Sequence, residues 1–222
     1  MDFGFGFLRP TPEDVDCKLC TEYPNRDREL NHCLSCPWLA ERLNAGTVGY
    51  GEAVRDGIPH KDWLDARLES IIQHFNGSMF RDEAHWQRWE EIMARTGFRL
   101  RRDVPARAAA VYLLTAEPDL FDRCEACFCW QKIEFRMAEL KGIPPRDYAL
   151  FHAAKDLYDK SSGVSLEDLA CAEDVDEAAF ALIINALLLA RYGYAALEID
   201  SRDSIWALSA KPGRPRKRTD AE

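Results

Sequence analysis

The chain has 222 residues, of which 47% are hydrophobic and 11% aromatic, a composition that can bury a core and excludes general disorder. Its formal net charge is −9, and residues 1–210 carry 24 basic and 36 acidic side chains, so the general surface repels nucleic acid. The N-terminus lacks the pattern of a secretory signal, and the apolar run 178–190 is too short to cross a bilayer, which predicts a cytoplasmic protein with reduced cysteines.

Four cysteines near the N-terminus have the spacing of a zinc site: Cys17-x2-Cys20, twelve residues, then Cys33-x2-Cys36. Two residues between cysteines allow one tight turn to present both thiolates to a single ion, and two such turns supply the tetrahedral set that zinc prefers. Because a four-thiolate site leaves no open position, the zinc is predicted to be structural and to order a segment too polar to fold alone. The spacing resembles that of a zinc-ribbon or treble-clef module, expected here over residues 1–45.

Helical patterns follow a glycine-containing stretch. Residues 46–59 are predicted to be a linker with room for one short helix. Apolar residues then recur at three- and four-residue steps over 60–75 and again over 81–96, and Gly97 is placed to end the second helix. A further helix is expected to start near Pro105 and to continue to Ala116.

The second half of the chain is also predicted to be mainly helical, with two short extended segments. The extended segments are 133–137, for which a helix fits nearly as well, and 194–199. Helices are expected from Pro118 towards Trp130, over 144–158, after Ser165, and over 177–192, where Gly193 closes the most apolar one. The fold class is therefore mainly α: a multi-helix domain over 60–200, with at most one short two-stranded sheet.

Five stretches of this body resemble an uncharacterised helical family of bacterial mobile elements, whose members often carry a cysteine-rich N-terminal segment. The stretches are Phe80–His85, Arg95–Phe98, Ala109–Ala116, Asp147–Phe151 and Ile183–Gly193. The resemblance covers about residues 60–199. It implies a helical fold and a mobile-element context, and it brings no activity with it.

The sequence favours a non-enzymatic role, because it contains no HExxH, P-loop, GxSxG or dinucleotide-binding motif. Asp82, Glu83 and His85 lie within one helical turn, and we interpret them as a solvated first turn, where carboxylates favour the helix dipole, rather than as a metal site. Trp86 and Trp89 are expected to pack in the core or at an interface.

A second group of cysteines, Cys124, Cys127 and Cys129, falls on an apolar stretch that is predicted to be helical. Burial as small hydrophobic side chains is the ordinary interpretation of such cysteines. The alternative is a second metal site, for which Cys171 is the preferred fourth ligand.

The C-terminal residues 201–222 are predicted to be a flexible basic tail. Its segment 211–218, KPGRPRKR, resembles an AT-hook, although Pro212 stands where the strongest hooks carry arginine. The resemblance implies an extended strand whose arginines enter a narrow A·T minor groove while the other basic side chains face phosphates. The predicted DNA-binding residues are Lys211, Arg214, Arg216, Lys217 and Arg218.

Together these features predict a DNA-associated accessory or regulatory protein. Zinc would fold the N-terminal module, the helical body would contact a protein partner, and the tail would bind A·T-rich DNA weakly and with strong salt dependence. The alternative is a protein-interaction factor without a DNA role, such as an inhibitor of a host defence enzyme, which would bind through its acidic helical surface.

Overall fold

The computed structural model describes residues 48–58, 61–98, 104–159 and 175–199, which are mainly α-helical. These ranges contain seven α-helices and one two-stranded sheet. The helices are α1 Tyr50–Gly57, α2 Asp62–Gln73, α3 Glu83–Thr96, α4 Val104–Leu114, α5 Pro118–Cys124, α6 Pro145–Asp159 and α7 Glu177–Tyr192. The strands are β1 Phe128–Cys129 and β2 Lys132–Ile133. The predicted zinc module and the basic tail lie outside the described residues.

Helix α4 is the centre of the body. Every side chain from Ala108 to Leu114 is buried, and the helix packs along both α6 and α7. Its consecutive alanines allow the neighbouring helices to approach closely, while Tyr112 and the leucines fill the remaining space. The helix expected around 106–116 is therefore present, buried on all sides.

Helix α7 is the second core element. The stretch Glu177–Leu197 is apolar and long enough to cross a membrane by length and composition alone. In this fold it packs against α4 and α6, and side chains such as Phe180, Ile184 and Leu188 are fully buried. Its apolarity is thus accounted for by packing inside the helical body, as predicted for a core helix.

Helix α1 occupies most of the stretch that was predicted to be a linker, 46–59. Tyr50, Ala53 and Val54 are buried, and the helix contacts α2 and α7. Residues 50–57 therefore belong to the packed body, and the predicted short helix within this stretch is one of its core elements.

Two aspartates begin helices in the same way. The side chain of Asp82 accepts a hydrogen bond from the backbone N–H of His85, and Asp176 accepts one from Ala179. Each bond satisfies one of the N–H groups that the first turn of a helix leaves without a partner. Gly97 ends α3 in the left-handed conformation, with φ +58°, as its position predicted.

The helix predicted from Pro118 towards Trp130 is too long. Helix α5 ends at Cys124, a 3-10 turn follows at Glu125–Cys127, and the chain then forms the antiparallel β1–β2 hairpin. The hairpin turn docks on the end of α3, where the N–H of Gln131 donates to the carbonyl of Thr96 at 2.7 Å. This bond satisfies a carbonyl in the last turn of α3, so a tertiary contact overrides the local helical pattern.

Both predicted extended segments are largely 3-10 helical. Within 133–137 only the first residue lies in a strand, and Phe135–Met137 form a 3-10 turn. Residues 194–199 were predicted to be a second short strand, but Gly193–Glu198 form a 3-10 helix. This segment continues the chain directly from α7 and packs against α4, so Ala196 and Ile199 are buried without a strand partner, whereas Tyr194 stays exposed.

Candidate functional site

The predicted zinc ligands, Cys17, Cys20, Cys33 and Cys36, lie outside the described residues. The same holds for the basic segment 211–218 of the tail. The zinc site and the DNA contact therefore remain predictions.

The second cysteine group is divided between different environments. Cys124 and Cys127 are fully buried, as expected of small hydrophobic side chains, whereas Cys129 on β1 is half-buried. Hydrogen bonding to Cys127, together with burial, raises the pKa of the Cys124 thiol. Across the described ranges no three His, Cys, Asp or Glu side chains converge in a way that would hold a metal ion, and Cys171 lies outside those ranges.

His85, from the carboxylate–histidine trio of α3, has a structural role. The backbone N–H of Arg81 donates to its Nδ1 at 3.2 Å, so Nε2 carries the proton and donates to the carbonyl of Tyr112 at 2.8 Å. Burial of the ring lowers the pKa of His85 to about 4, so it is neutral near pH 7. With both nitrogens engaged and Asp82 acting as a helix cap, the trio does not form a metal site.

Two arginines stabilise chain carbonyls at helix ends and turns. Arg88 donates to the carbonyls of Thr115 at 2.8 Å and Ala116 at 3.2 Å, just after α4 ends. Arg123 donates to the carbonyls of Glu139 and Lys141. Both guanidinium groups therefore bind carbonyls of their own chain, Arg88 at a partly buried position and Arg123 at the surface.

Glu117 is a nearly buried carboxylate held between two arginines, Arg81 and Arg146. Arg146 also lies 3.7 Å from Asp176, the cap of α7. The cluster connects the end of α4 with the loop before α3 and the first turn of α6. An ionised carboxylate with two guanidinium partners is a stable arrangement, and it leaves these cations committed to the fold.

A polar network crosses the core around Asn185, the polar residue that interrupts the apolar run of α7. Its Oδ1 accepts from the hydroxyl of Tyr50 at 2.8 Å, and its Nδ2 donates to the carbonyl of Met79 at 3.0 Å. The Tyr112 hydroxyl donates to the same carbonyl. The network joins α1, α4 and α7 to the loop between α2 and α3, and burial raises the pKa of Tyr50.

A cavity of about 340 Å³ lies beside this network, between α2, α7 and the loop 74–81. Tyr50 and Asn185 border it where the network begins, and the other ionisable side chains that line it are His74, Arg81 and Glu177. Its apolar walls come from Ile71, Phe75, Met79, Phe80, Ala181 and Leu182. Its lining is mainly apolar with a few polar groups, a type of surface that binds ligands.

Only one feature of the sequence pointed towards this cavity, namely Asn185 within an apolar run. The partners of Asn185 come from distant positions in the chain, 135 residues away for Tyr50 and 106 for Met79. Comparisons with protein-family models, curated proteins and solved structures found no match for this chain. The candidate sites are therefore inferred only from the residues, contacts and burial within this chain.

Proposed function

We propose that the protein is a non-enzymatic, DNA-associated accessory or regulatory protein whose tail, residues 211–218, tethers the helical body to A·T-rich DNA. The observation that carries the proposal is the separation of charge. The described ranges hold 14 basic and 21 acidic side chains, whereas residues 211–222 hold five basic and two acidic ones. Positive charge on the tail is what a polyanion would contact first.

The arginines of the helical body support this division of roles. Arg81 and Arg146 bind Glu117, and Arg88 and Arg123 bind backbone carbonyls. Arg67 donates to the carbonyl of Val175 at 2.7 Å and lies 4.2 Å from the ring centroid of Phe180. Releasing these groups to phosphates would break internal bonds, so the body is a poor DNA-binding surface.

The N-terminal cysteines complete the proposal. Cys17, Cys20, Cys33 and Cys36 would hold one structural zinc ion that orders the N-terminal module, without taking part in chemistry. Metal analysis of protein purified without added zinc should then find one equivalent per chain, and none in a Cys17→Ser/Cys33→Ser variant. Two equivalents would instead assign a metal to Cys124 and its neighbours.

The DNA contact can be tested by fluorescence anisotropy with matched A·T-rich and G·C-rich duplexes. We expect Arg214→Ala/Arg216→Ala to weaken binding to the A·T-rich duplex at least about tenfold. The slope of log K against log salt should fall by about two, since the variant lacks two cations whose binding releases counterions from the DNA. Each duplex should be measured at several salt concentrations.

A control variant removes the same number of positive charges from the body. Arg136→Ala/Lys141→Ala changes two exposed side chains, and the Arg136 side chain is 84% exposed. Its affinity should stay within about twofold of the unmodified protein. Equal losses in the two double variants, or equal affinity for the two duplexes, would contradict an A·T-specific tail.

The second candidate function is a protein-interaction factor, and the exposed aromatic side chains favour it. The large hydrophobic side chains that remain exposed include Trp63, Trp86, Trp130, Tyr148 and Tyr194. Tryptophan and tyrosine are enriched where proteins bind each other strongly. If neither duplex binds, this function becomes the leading one, and Trp130, which is 62% exposed, is the first side chain to replace by serine.

A further inference from the structure

The cavity beside Asn185 has the size and walls of a small-molecule site. Its volume of about 340 Å³ equals the space of about eleven water molecules, at roughly 30 Å³ each. Five of its fourteen lining residues are methionine, phenylalanine, leucine or isoleucine, and two more are alanine. Water held against such walls gains little, so an apolar molecule of about ten heavy atoms would displace it favourably.

The walls are held in place before any ligand arrives. The ring of Tyr50 stacks on that of Phe75, with a centroid separation of 3.8 Å and an angle of 7°. Its hydroxyl also fixes Asn185, which in turn holds the carbonyl of Met79. A site built in this way loses little side-chain freedom on binding.

The charged groups at the cavity are already compensated by protein partners. Arg81 pairs with Glu117 and lies 3.7 Å from Asp82, and Glu177 lies 3.7 Å from Arg67. A charged ligand would have to give up its hydration and then compete with these internal pairs. A neutral ligand has no such cost.

His74 provides a hydrogen-bond acceptor at the cavity. Its Nδ1 lies 2.8 Å from the carbonyl of Ser70, and since a carbonyl only accepts, Nδ1 must carry the proton. In the neutral ring Nε2 is then left as an acceptor, and His74 lines the cavity. A ligand hydroxyl can donate to this nitrogen.

We propose that this cavity binds small neutral amphiphiles: an alkyl chain or single ring inside the apolar walls, with a hydroxyl that donates to Nε2 of His74. The uncharged, amphipathic alcohols and phenols fit this description. Fatty-acid anions of the same length do not fit, because a carboxylate has no proton to donate to Nε2. Alkylammonium ions can donate to Nε2, but they lose their hydration at a site whose carboxylate, Glu177, already faces Arg67. The described residues that line the cavity include neither the cysteines of the predicted zinc module nor the basic side chains of the tail.

The methionines allow the site to be observed directly in the full-length protein. The chain has four, Met1, Met79, Met93 and Met137, and Met79 lines the cavity while Met137 is exposed elsewhere. With ¹³C-methyl-labelled methionine, titration with 1-octanol should shift the Met79 resonance saturably and leave that of Met137 unchanged. Octanoate and octylammonium should bind at least about tenfold more weakly.

Two alanine substitutions form a matched pair for the titration. Ala178 lines the cavity mouth, and Ala84 lies outside it. Both are exposed, and both are the second residue of a helix that begins with an aspartate cap followed by glutamate. Ala178→Trp should abolish the octanol-dependent shift of Met79, whereas Ala84→Trp should leave it unchanged.

Each result of the titration either supports or overturns the proposed site. A saturable Met79 shift that Ala178→Trp removes and His74→Phe weakens establishes both the site and its hydroxyl preference. A missing shift up to the solubility of octanol, or a shift that persists in Ala178→Trp, overturns the proposal. Binding of octanoate as tightly as octanol overturns the preference for neutral ligands. Circular dichroism and thermal unfolding of each variant establish that the fold is retained.

Discussion

Helices α4 and α7 have similar compositions but very different surroundings. The residues of α4 from Ala108 to Leu114 are enclosed by protein, and α3 supplies side chains that bind its carbonyls, with Trp89 donating to Ala108 and His85 to Tyr112. Helix α7 is enclosed on the side that contacts α4 but borders the cavity at Leu182 and Asn185. Apolarity alone therefore does not distinguish a closed scaffold helix from one that lines an opening.

The largest effect should come from truncating a leucine of α7 where the helix is enclosed by protein. The matched change is the truncation of a leucine where the helix borders the cavity. Leu188→Ala should lower the free energy of unfolding by about 3–4 kcal/mol, because Leu188 is fully buried and its loss leaves a new void. Leu182→Ala should cost about 2 kcal/mol, at the low end for a buried leucine, because Leu182, although only 4% exposed, borders the cavity and makes fewer contacts on that side. Urea unfolding of both variants measures the difference.

Equal costs for the two leucine variants would indicate that the cavity closes in solution. A larger cost for Leu182→Ala would reverse the comparison between the enclosed and the open sides of α7. In either case the m-value of the unfolding curve should be unchanged, since neither substitution alters the surface exposed on unfolding appreciably.

The next largest effect concerns the enclosed surroundings of α4 and appears when the pH is lowered. The pKa of His85 is about 4 in the folded protein and about 6.5 when unfolded, so between these values the unfolded state binds more protons. Stability should therefore be full above pH 6.5 and fall towards pH 4, with a total loss on the order of 2–3 kcal/mol from this residue. Between pH 6.5 and 5.5 the loss should be about 1 kcal/mol.

A variant without the histidine isolates this contribution. In His85→Gln the stability near pH 7 should decrease, because the bonds to Arg81 and Tyr112 are disturbed, but the dependence on pH in this window should flatten. An unchanged slope would mean that His85 titrates normally, and that the surroundings of α4 are more open than its contacts indicate.

Much of the helical fold could be predicted from the spacing of apolar residues and from the glycines that end helices. The helices over 62–73, 83–96 and 145–159 follow the spacing of their apolar residues, and Gly97 and Gly193 end helices as expected. The hairpin could not be predicted, because it depends on Gln131 donating to Thr96 across 35 positions of the chain. Local pattern carries no information about such a contact.

The candidate site was less predictable than the fold. Asn185 was visible as the polar residue of an apolar helix, but its role depends on Tyr50, Tyr112 and the carbonyl of Met79, which only the tertiary structure brings together. His85 was grouped correctly with a helix start, yet its burial and its bond to Tyr112 were not expected. A cavity is a property of packing, and periodicity within one element cannot reveal it.

The smallest effect compares two tyrosine hydroxyls that lie in one network. Tyr112→Phe should cost about 1–2 kcal/mol, because its hydroxyl is enclosed and binds both Met79 and Asn185. Tyr50→Phe should cost only about 0.5 kcal/mol, because the Oδ1 atom that it leaves belongs to a residue lining the cavity, where water can replace the lost donor. If water does so, 1-octanol, which displaces water from the cavity, should stabilise Tyr50→Phe less than the unmodified protein in thermal unfolding. If Tyr50→Phe costs more stability than Tyr112→Phe, water does not reach the network at its cavity end. The surroundings of α4 and α7 would then not differ in their access to water.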